Sequence, residues 1–238
     1  MIRHLLPLFG LVACGGGGGD GDDAPTPDSP PAAQMITLSG TAQTISAGGT
    51  DPTPGVLVEA FRNSADTTVV VSATTDAQGN YTLIVETNGT ALDGFLKATK
   101  SGLLDTYLYP DKPLGEDFDR ASINMVAQNT LDILAGSLFC NGNQDGAKGV
   151  IAALVFDAAD APIAGATVNA SPAPTSVCYN GANDLPDDAA TATAADGIGY
   201  MFNVTGQVTV STTVTGTTYP NHKVTARAGA LTTTLFRP

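Results

Sequence analysis

Pro52-Thr53-Pro54-Gly55-Val56-Leu57-Val58-Glu59-Ala60, followed by Thr74-Thr75-Asp76-Ala77-Gln78-Gly79-Asn80-Tyr81-Thr82-Leu83, is the stretch that decides the fold. The first segment is a Pro-containing turn that ends in glycine and runs into a strand. Val56, Val58 and Ala60 alternate with Leu57, Glu59 and Phe61, the period of two that a pleated strand imposes. The second segment reads as a strand end, an Asp/Gly hairpin turn and a new strand. There Tyr81, Leu83 and Val85 alternate with Thr82, Ile84 and Glu86. One face of each strand suits a core; the other suits solvent or the rim of a second sheet. No helical stretch separates the strands, which excludes a parallel α/β order.

The same order of signals occurs twice. Ile36 to Thr41 opens the first copy, and Gly149 to Phe156 opens the second. Ala161-Pro162-Ile163-Ala164-Gly165-Ala166-Thr167-Val168 then repeats the turn and strand. Thr193-Ala194-Ala195-Asp196-Gly197-Ile198-Gly199-Tyr200 repeats the Asp/Gly turn before an aromatic-led strand. This outline resembles the carboxypeptidase regulatory-like domain, a Greek-key sandwich related to transthyretin. Gly40, Pro52 to Val56, and Thr75, Gly79 and Tyr81 carry the resemblance. In the second copy Asp196-Gly197 and Gly199 stand in for the turn, and Ala166 replaces the valine. The resemblance implies an all-β chain of two tandem Greek-key β-sandwiches, each of about seven strands, and it implies no chemistry.

Between the copies, Asn129 to Phe139 has the spacing of a short helix. Asn129 or Thr130 is placed to cap it, and Leu131, Leu134 and Leu138 share one face. A helix of about three turns is too short to stand alone in water, so it is expected to dock on a sandwich or wedge between the two. The expected layout is a leader over 1–13 and an anchored tether over 14–34. Sandwich 1 follows over 35–127, a connector over 128–147 and sandwich 2 over 148–238.

Composition agrees with a turn-rich β-protein. The only glutamates are Glu59, Glu86 and Glu116, and the other 20 of the 23 acidic residues are aspartates. Aspartate competes with the backbone and favours turns and caps over helix interiors. The formal net charge is −13, and loss of Arg3 with a leader takes it to −14. An acidic body is repelled by nucleic acid, so no nucleic-acid partner is expected.

The beginning of the chain addresses location. Arg3 and His4 precede an apolar run from Leu5 to Val12, then Ala13, Cys14 and five glycines. The run is far shorter than the roughly 20 residues of a membrane span. The arrangement resembles the signal peptide and lipobox of bacterial lipoproteins, which implies cleavage before Cys14 and lipidation of its thiol. Gly15, where an aspartate would favour the inner membrane, points within that resemblance to the outer membrane. Gly15 to Ala33 holds Gly, Asp and Pro with no large apolar residue, the composition of a tether. The expected partners are a membrane, through the lipid, and an envelope, matrix or glycan component.

With Cys14 lipidated, Cys140 and Cys178 remain as an even pair in an oxidising compartment, either a disulfide or two buried thiols. Catalytic signals are sparse. His222 is the only histidine outside the leader, and beside Tyr219 and Asn221 it reads as a surface loop residue, so no enzyme and no cofactor are expected. Asn141, Asn143 and Asp145 follow the oxygen spacing of a calcium loop. Asn opens the motif where Asp is usual, however, and Ala152 occupies the position of the bidentate Glu, so a polar turn is the stronger reading. Asp184, Asp187 and Asp188 read as a solvated acidic loop. Tyr107, Tyr109, Tyr179 and Tyr219 are the candidates for a glycan platform in a chain with no Trp, with core packing the stronger explanation. The Asn-x-Thr triplets at Asn80, Asn88 and Asn203 read as chance. The expectation is a non-enzymatic cell-envelope lipoprotein with a structural or adhesive task. The alternative is a glycan- or peptide-binding module, calcium-assisted or not.

Overall fold

The computed structural model describes residues 34–46, 49–136, 139–140, 143–181 and 183–238. The leader, Cys14, the tether, Leu138 and Asn141 lie outside the described residues. The chain is all-β. The first half supplies β1 (Met35–Ser46), β2 (Gly49–Pro52), β3 (Leu57–Arg62), β4 (Ala65–Thr74), β5 (Asn80–Glu86), β6 (Gly94–Thr99), β7 (Asp105–Tyr109) and β8 (Ile123–Val126). One helix, α1 (Gln128–Ala135), follows. The second half supplies β9 (Gly149–Val155), β10 (Thr167–Ser171), β11 (Ser176–Asn180), β12 (Pro186–Asp187), β13 (Ile198–Val204), β14 (Gly206–Thr213), β15 (His222–Ala226) and β16 (Ala230–Phe236).

Strand pairing recurs between the halves. In the first, β1 pairs antiparallel with β5 and parallel with β8. In the second, β9 pairs antiparallel with β13 and parallel with β16. The facing layers match as well, since β3–β6–β7 and β10–β14–β15 are both antiparallel. Even the turn chemistry repeats. The buried Thr75 hydroxyl accepts from Val56 N at 2.9 Å and donates to Thr53 O at 2.7 Å. The buried Thr193 hydroxyl does the same with Ala166 N at 3.0 Å and Ile163 O at 2.6 Å. Gly55 and Gly165, at φ 69° and 82°, occupy left-handed positions where a Cβ is disfavoured.

The turn before Tyr81 differs from the expected hairpin. Asp76 Oδ1 closes it by accepting from Gln78 N and Asn80 N, but β4 pairs with β3 while β5 pairs with β1. The turn is therefore a corner between two layers. In the second half, the strand before the corresponding turn has crossed over, and β11 pairs with β13.

The sheets are not confined to one half each. A four-stranded sheet holds β1, β2, β5 and β8, and a three-stranded sheet runs β10–β14–β15. The third sheet has nine strands in the order β12-β11-β13-β9-β16-β7-β6-β3-β4. Its seam is the parallel pair β16–β7, from Ala230 opposite Asp105 to Thr234 opposite Tyr109. Ala33–Pro238 accordingly form one compact unit.

Both faces of the seam are covered, so the simple in/out alternation expected from sequence does not hold there. Leu96, Ala98 and Leu108 face a core beneath the four-stranded sheet together with Leu38, Leu83 and Ile123. From the opposite face Phe61, Phe95, Tyr107 and Tyr109 join the core under the three-stranded sheet, with Val168, Val210, Val224 and Phe236. Over β9, β13 and β16 the remaining surface is covered by α1, where Leu131 and Ala135 pack on Val150, Phe202 and Leu231. The helix starts earlier than its sequence signal. Its cap is Ala127, which has no side-chain bond and whose carbonyl accepts from Leu131 N. It ends at Gly136, short of Phe139.

Gly40 shows why a glycine suits the first strand. The segment leading into β8 runs alongside β1, with Phe118 N–H donating to Thr37 O and Ala121 N–H to Ser39 O. A Cβ on Gly40 would lie 2.2 Å from the Ala121 oxygen. The Tyr81 hydroxyl donates to the same oxygen.

Candidate functional site: a polar cleft beside the seam

A cleft of about 410 Å³, lined by residues of both halves, lies where β6 and β7 of the nine-stranded sheet meet β14 and β15 of the three-stranded sheet. Asn63, Asp66, Asp93, Asp111 and Lys112 come from the first half; Gln207, Asn221, Lys223 and Arg227 come from the second. Phe95 and Tyr109, stacked 5.1 Å apart, contribute to its floor.

Arg227 is fixed at this floor. Its guanidinium carbon lies 4.1 Å from the Tyr107 ring centre and 4.8 Å from that of Phe95. Its Nη1 donates to Thr225 O at 3.1 Å and to the Tyr109 hydroxyl at 3.3 Å. Asp66 stands 3.9 Å from Nη2, too long for a hydrogen bond. Stacking on two rings with desolvation is the setting in which a cation–π contact is strongest. Lys97 lies 5.8 Å from the Tyr107 ring centre and pairs with Asp105 at 2.9 Å. That hydrogen bond is the main influence raising the lysine above its ordinary pKa.

His222 overturns its sequence reading. It opens β15 rather than sitting in a surface loop, and it is 8% exposed. Its ring stacks on Phe236 at 4.5 Å, and Nδ1 shares a 3.1 Å hydrogen bond with the Thr234 hydroxyl. Burial lowers its pKa, opposed in part by the charge and backbone of Asp111. The sequence could not reveal this, because burial comes from β16 of the other sheet, which packs against β15.

A smaller polar recess adjoins the cleft. Arg237 donates from Nε to Asp160 at 2.6 Å and pairs with Asp111 at 3.2 Å, while Arg120 pairs with the other Asp160 oxygen. Hydrogen bonds from Arg237 and then Arg120 hold the Asp160 carboxyl below the usual range. The cluster ties the end of β16 to loops of both halves.

The other predicted residues are dispersed. Cys140 and Cys178 are joined as a disulfide with Cα atoms 5.6 Å apart, linking the segment after α1 to β11. Asn143 and Asp145 do not converge on a cation position. Asn143 O accepts from Asn203 Nδ2, Asp145 N–H donates to Asn203 Oδ1, and Asp145 Oδ1 accepts from Ala147 N. Among the described residues no group of three or more His, Cys, Asp or Glu side chains is placed to hold a metal. Asp187 Oδ1 accepts from Ala189 N, and Asp184 borders an apolar groove of about 220 Å³ along α1. Tyr107, Tyr109, Tyr179 and Tyr219 are all under 9% exposed and offer no open platform. Tyr179 Oη accepts from Val168 N, and Tyr219 Oη donates to Phe156 O. Among the described residues no helix is long and apolar enough to cross a membrane.

No protein-family model matches the sequence, and no curated protein matches it. Among solved structures it is similar to the shaft pilin SpaA of Lactobacillus rhamnosus GG, at 12% identity and a TM-score of 0.27, covering 86% of this chain and 98% of that one. It is similar to GBS52, the minor pilin of Streptococcus agalactiae, at 14% identity and a TM-score of 0.27, covering 85% and 95%. It is also similar to the Bacillus anthracis TIE protein, at 13% identity and a TM-score of 0.26, covering 84% of this chain but only 33% of that one.

Proposed function

We propose that this protein is a non-enzymatic lipoprotein of the cell envelope that presents a rigid β-unit at the surface for a structural or adhesive task. The observation that carries the reading is the seam. Two copies of one strand topology are welded edge to edge through β7 and β16, which gives a single stiff body rather than two modules on a hinge. The leader-like residues and Cys14 supply the anchor, Gly15 to Ala33 the spacer, and Gly15 favours the outer membrane. His222 borders the polar cleft with its ring stacked on Phe236 and its Nδ1 held by the Thr234 hydroxyl.

The polar cleft favours a second reading, a glycan- or peptide-binding module. Its amides, carboxylates and cations are the donor and acceptor types that fix hydroxyls or a peptide backbone.

Cys14→Ala tests the anchor. The protein should lose palmitate labelling and move from membranes to the soluble fraction, with its melting temperature unchanged. A variant that still sediments with membranes refutes the assignment. Titration with oligosaccharides and peptides, with and without calcium, separates the two readings. Saturable binding weakened by Asn221→Ala favours the module.

A further inference from the structure

The nine-stranded sheet ends on the two-residue β12 at one side and on the ten-residue β4 at the other, and among the described residues no strand lies beyond β4. Long edge strands are normally blunted by Lys, Pro or bulges. From Thr67 to Thr75 this one carries no charge, no proline and no glycine. Its register irregularities lie at Ala60/Phe61 and Phe61/Arg62, opposite its first part, whereas Val71 to Thr74 pair regularly with Leu57 to Ala60.

The direction of the free groups follows from the next residue. Thr75 N–H donates to Val56 O at 3.0 Å, so Thr75 turns its backbone toward the β3 side. Alternation along the regular part of the ladder, Val71 to Thr74, then turns the N–H and C=O groups of Thr74 and Ser72 outward, and Val70 is the extra residue at the register shift opposite Ala60/Phe61. Val71 and Ala73 point the other way from these in side-chain terms and pack against the core under the four-stranded sheet. Val69 and Val70 are 42% and 37% exposed.

We propose that β4 pairs antiparallel with β4 of a second copy of this chain, about a two-fold axis at Ser72. Charge selects this occupant. Two copies with a net charge of −13 each repel over most of their surfaces, and an uncharged edge is where they can approach. The register is self-complementary. With Ser72 opposite Ser72, that outward pair exchanges backbone hydrogen bonds in both directions, and Thr74 lies opposite the start of the bulge at Val70. Val71 meets Ala73 of the second copy, which continues the apolar face across the join. The dimer is a single sheet running through both copies.

Residues 34–238 hold every described strand and all three cores, so they can be tested without the tether. Sedimentation velocity from low micromolar to several hundred micromolar should show a reversible monomer–dimer equilibrium. Ser72 is exposed, and Ser72→Lys places like charges directly opposite one another at the axis. It should raise the dimer dissociation constant about fivefold, with an unchanged circular dichroism melt. Ser72→Asp should do the same, and an equimolar mixture of the two variants should dimerise at least as tightly as the parent chain. A parent chain that stays monomeric over this range overturns the proposal. So does a dimer indifferent to both substitutions, or a mixture no tighter than either variant alone.

Discussion

Cutting the chain between its two repeats should abolish the folded state of the first one. Phe61, Phe95, Tyr107 and Tyr109 are 7%, 2%, 8% and 5% exposed, and the residues that cover them belong to the second half. In residues 34–127 alone, one face of each ring would meet water. If about half of each ring's roughly 200 Å² is uncovered, some 400 Å² of apolar surface is exposed. At about 25 cal/mol per Å² this costs on the order of 10 kcal/mol. A domain of this length has a total stability of roughly 5–14 kcal/mol. The loss is therefore comparable to everything that holds the fragment together. It also leaves β7 as a bare edge beside an aromatic patch, a combination that promotes association. Residues 34–127 should give a broad, non-cooperative melt by circular dichroism and oligomers by light scattering, and residues 34–238 a single cooperative transition. A monomeric 34–127 fragment with a sharp melt, and two transitions in the longer chain, would refute the shared-core reasoning.

Two further outcomes follow from the same contacts. The Cys140–Cys178 bond closes a separation of 38 residues, worth about 4 kcal/mol in the chain-entropy account. A Cys140→Ser/Cys178→Ser variant should accordingly melt roughly 8–16 °C lower, and an unchanged melting temperature would show that the bridge adds nothing. Burial holds His222 below the ordinary 6.5, so the unfolded chain takes up a proton that the folded one refuses. The stability this contributes is present above about pH 6.5 and should fall as pH drops below that value. His222→Gln should flatten that slope, whereas Asp76 and Asp160, held below 3.8, act only in more acid solution. Identical slopes for the parent and the variant would exclude the imidazole.

Much of the fold was legible because its signals are local. The alternation in β3 and β5, the glycine turns and the cysteine pair each depend on a few neighbouring residues. Thr75 and Thr193 could also be found, since each sits at a matching offset from its Asp/Gly turn. The seam was not legible. Thr232, Thr233 and Thr234 are buried, although a threonine run carries no apolar signature, and nothing in β7 announces that its partner lies in the other repeat. Tyr107 and Tyr109 gave the strand and its core-packed faces correctly but not which core. The cleft was missed for the same reason: Arg227, Asp66 and Asn221 are unremarkable until two distant edges bring them to one place. His222 was misread because its surroundings come from β16 and not from its sequence neighbours.

The seam also sets a timetable. β7 is complete at Tyr109, but β16 begins at Ala230, about 120 residues later. At roughly 5–20 residues per second of synthesis, the first repeat waits on the order of 10 s for the strand that closes it. Through that interval its open backbone edge and four aromatic rings have no native cover. Parallel, distant pairings of this sort form slowly even when the whole chain is available. The protein's vulnerability is thus temporal: it lies in the interval before β16 covers β7, and not in the stability of the finished sheet.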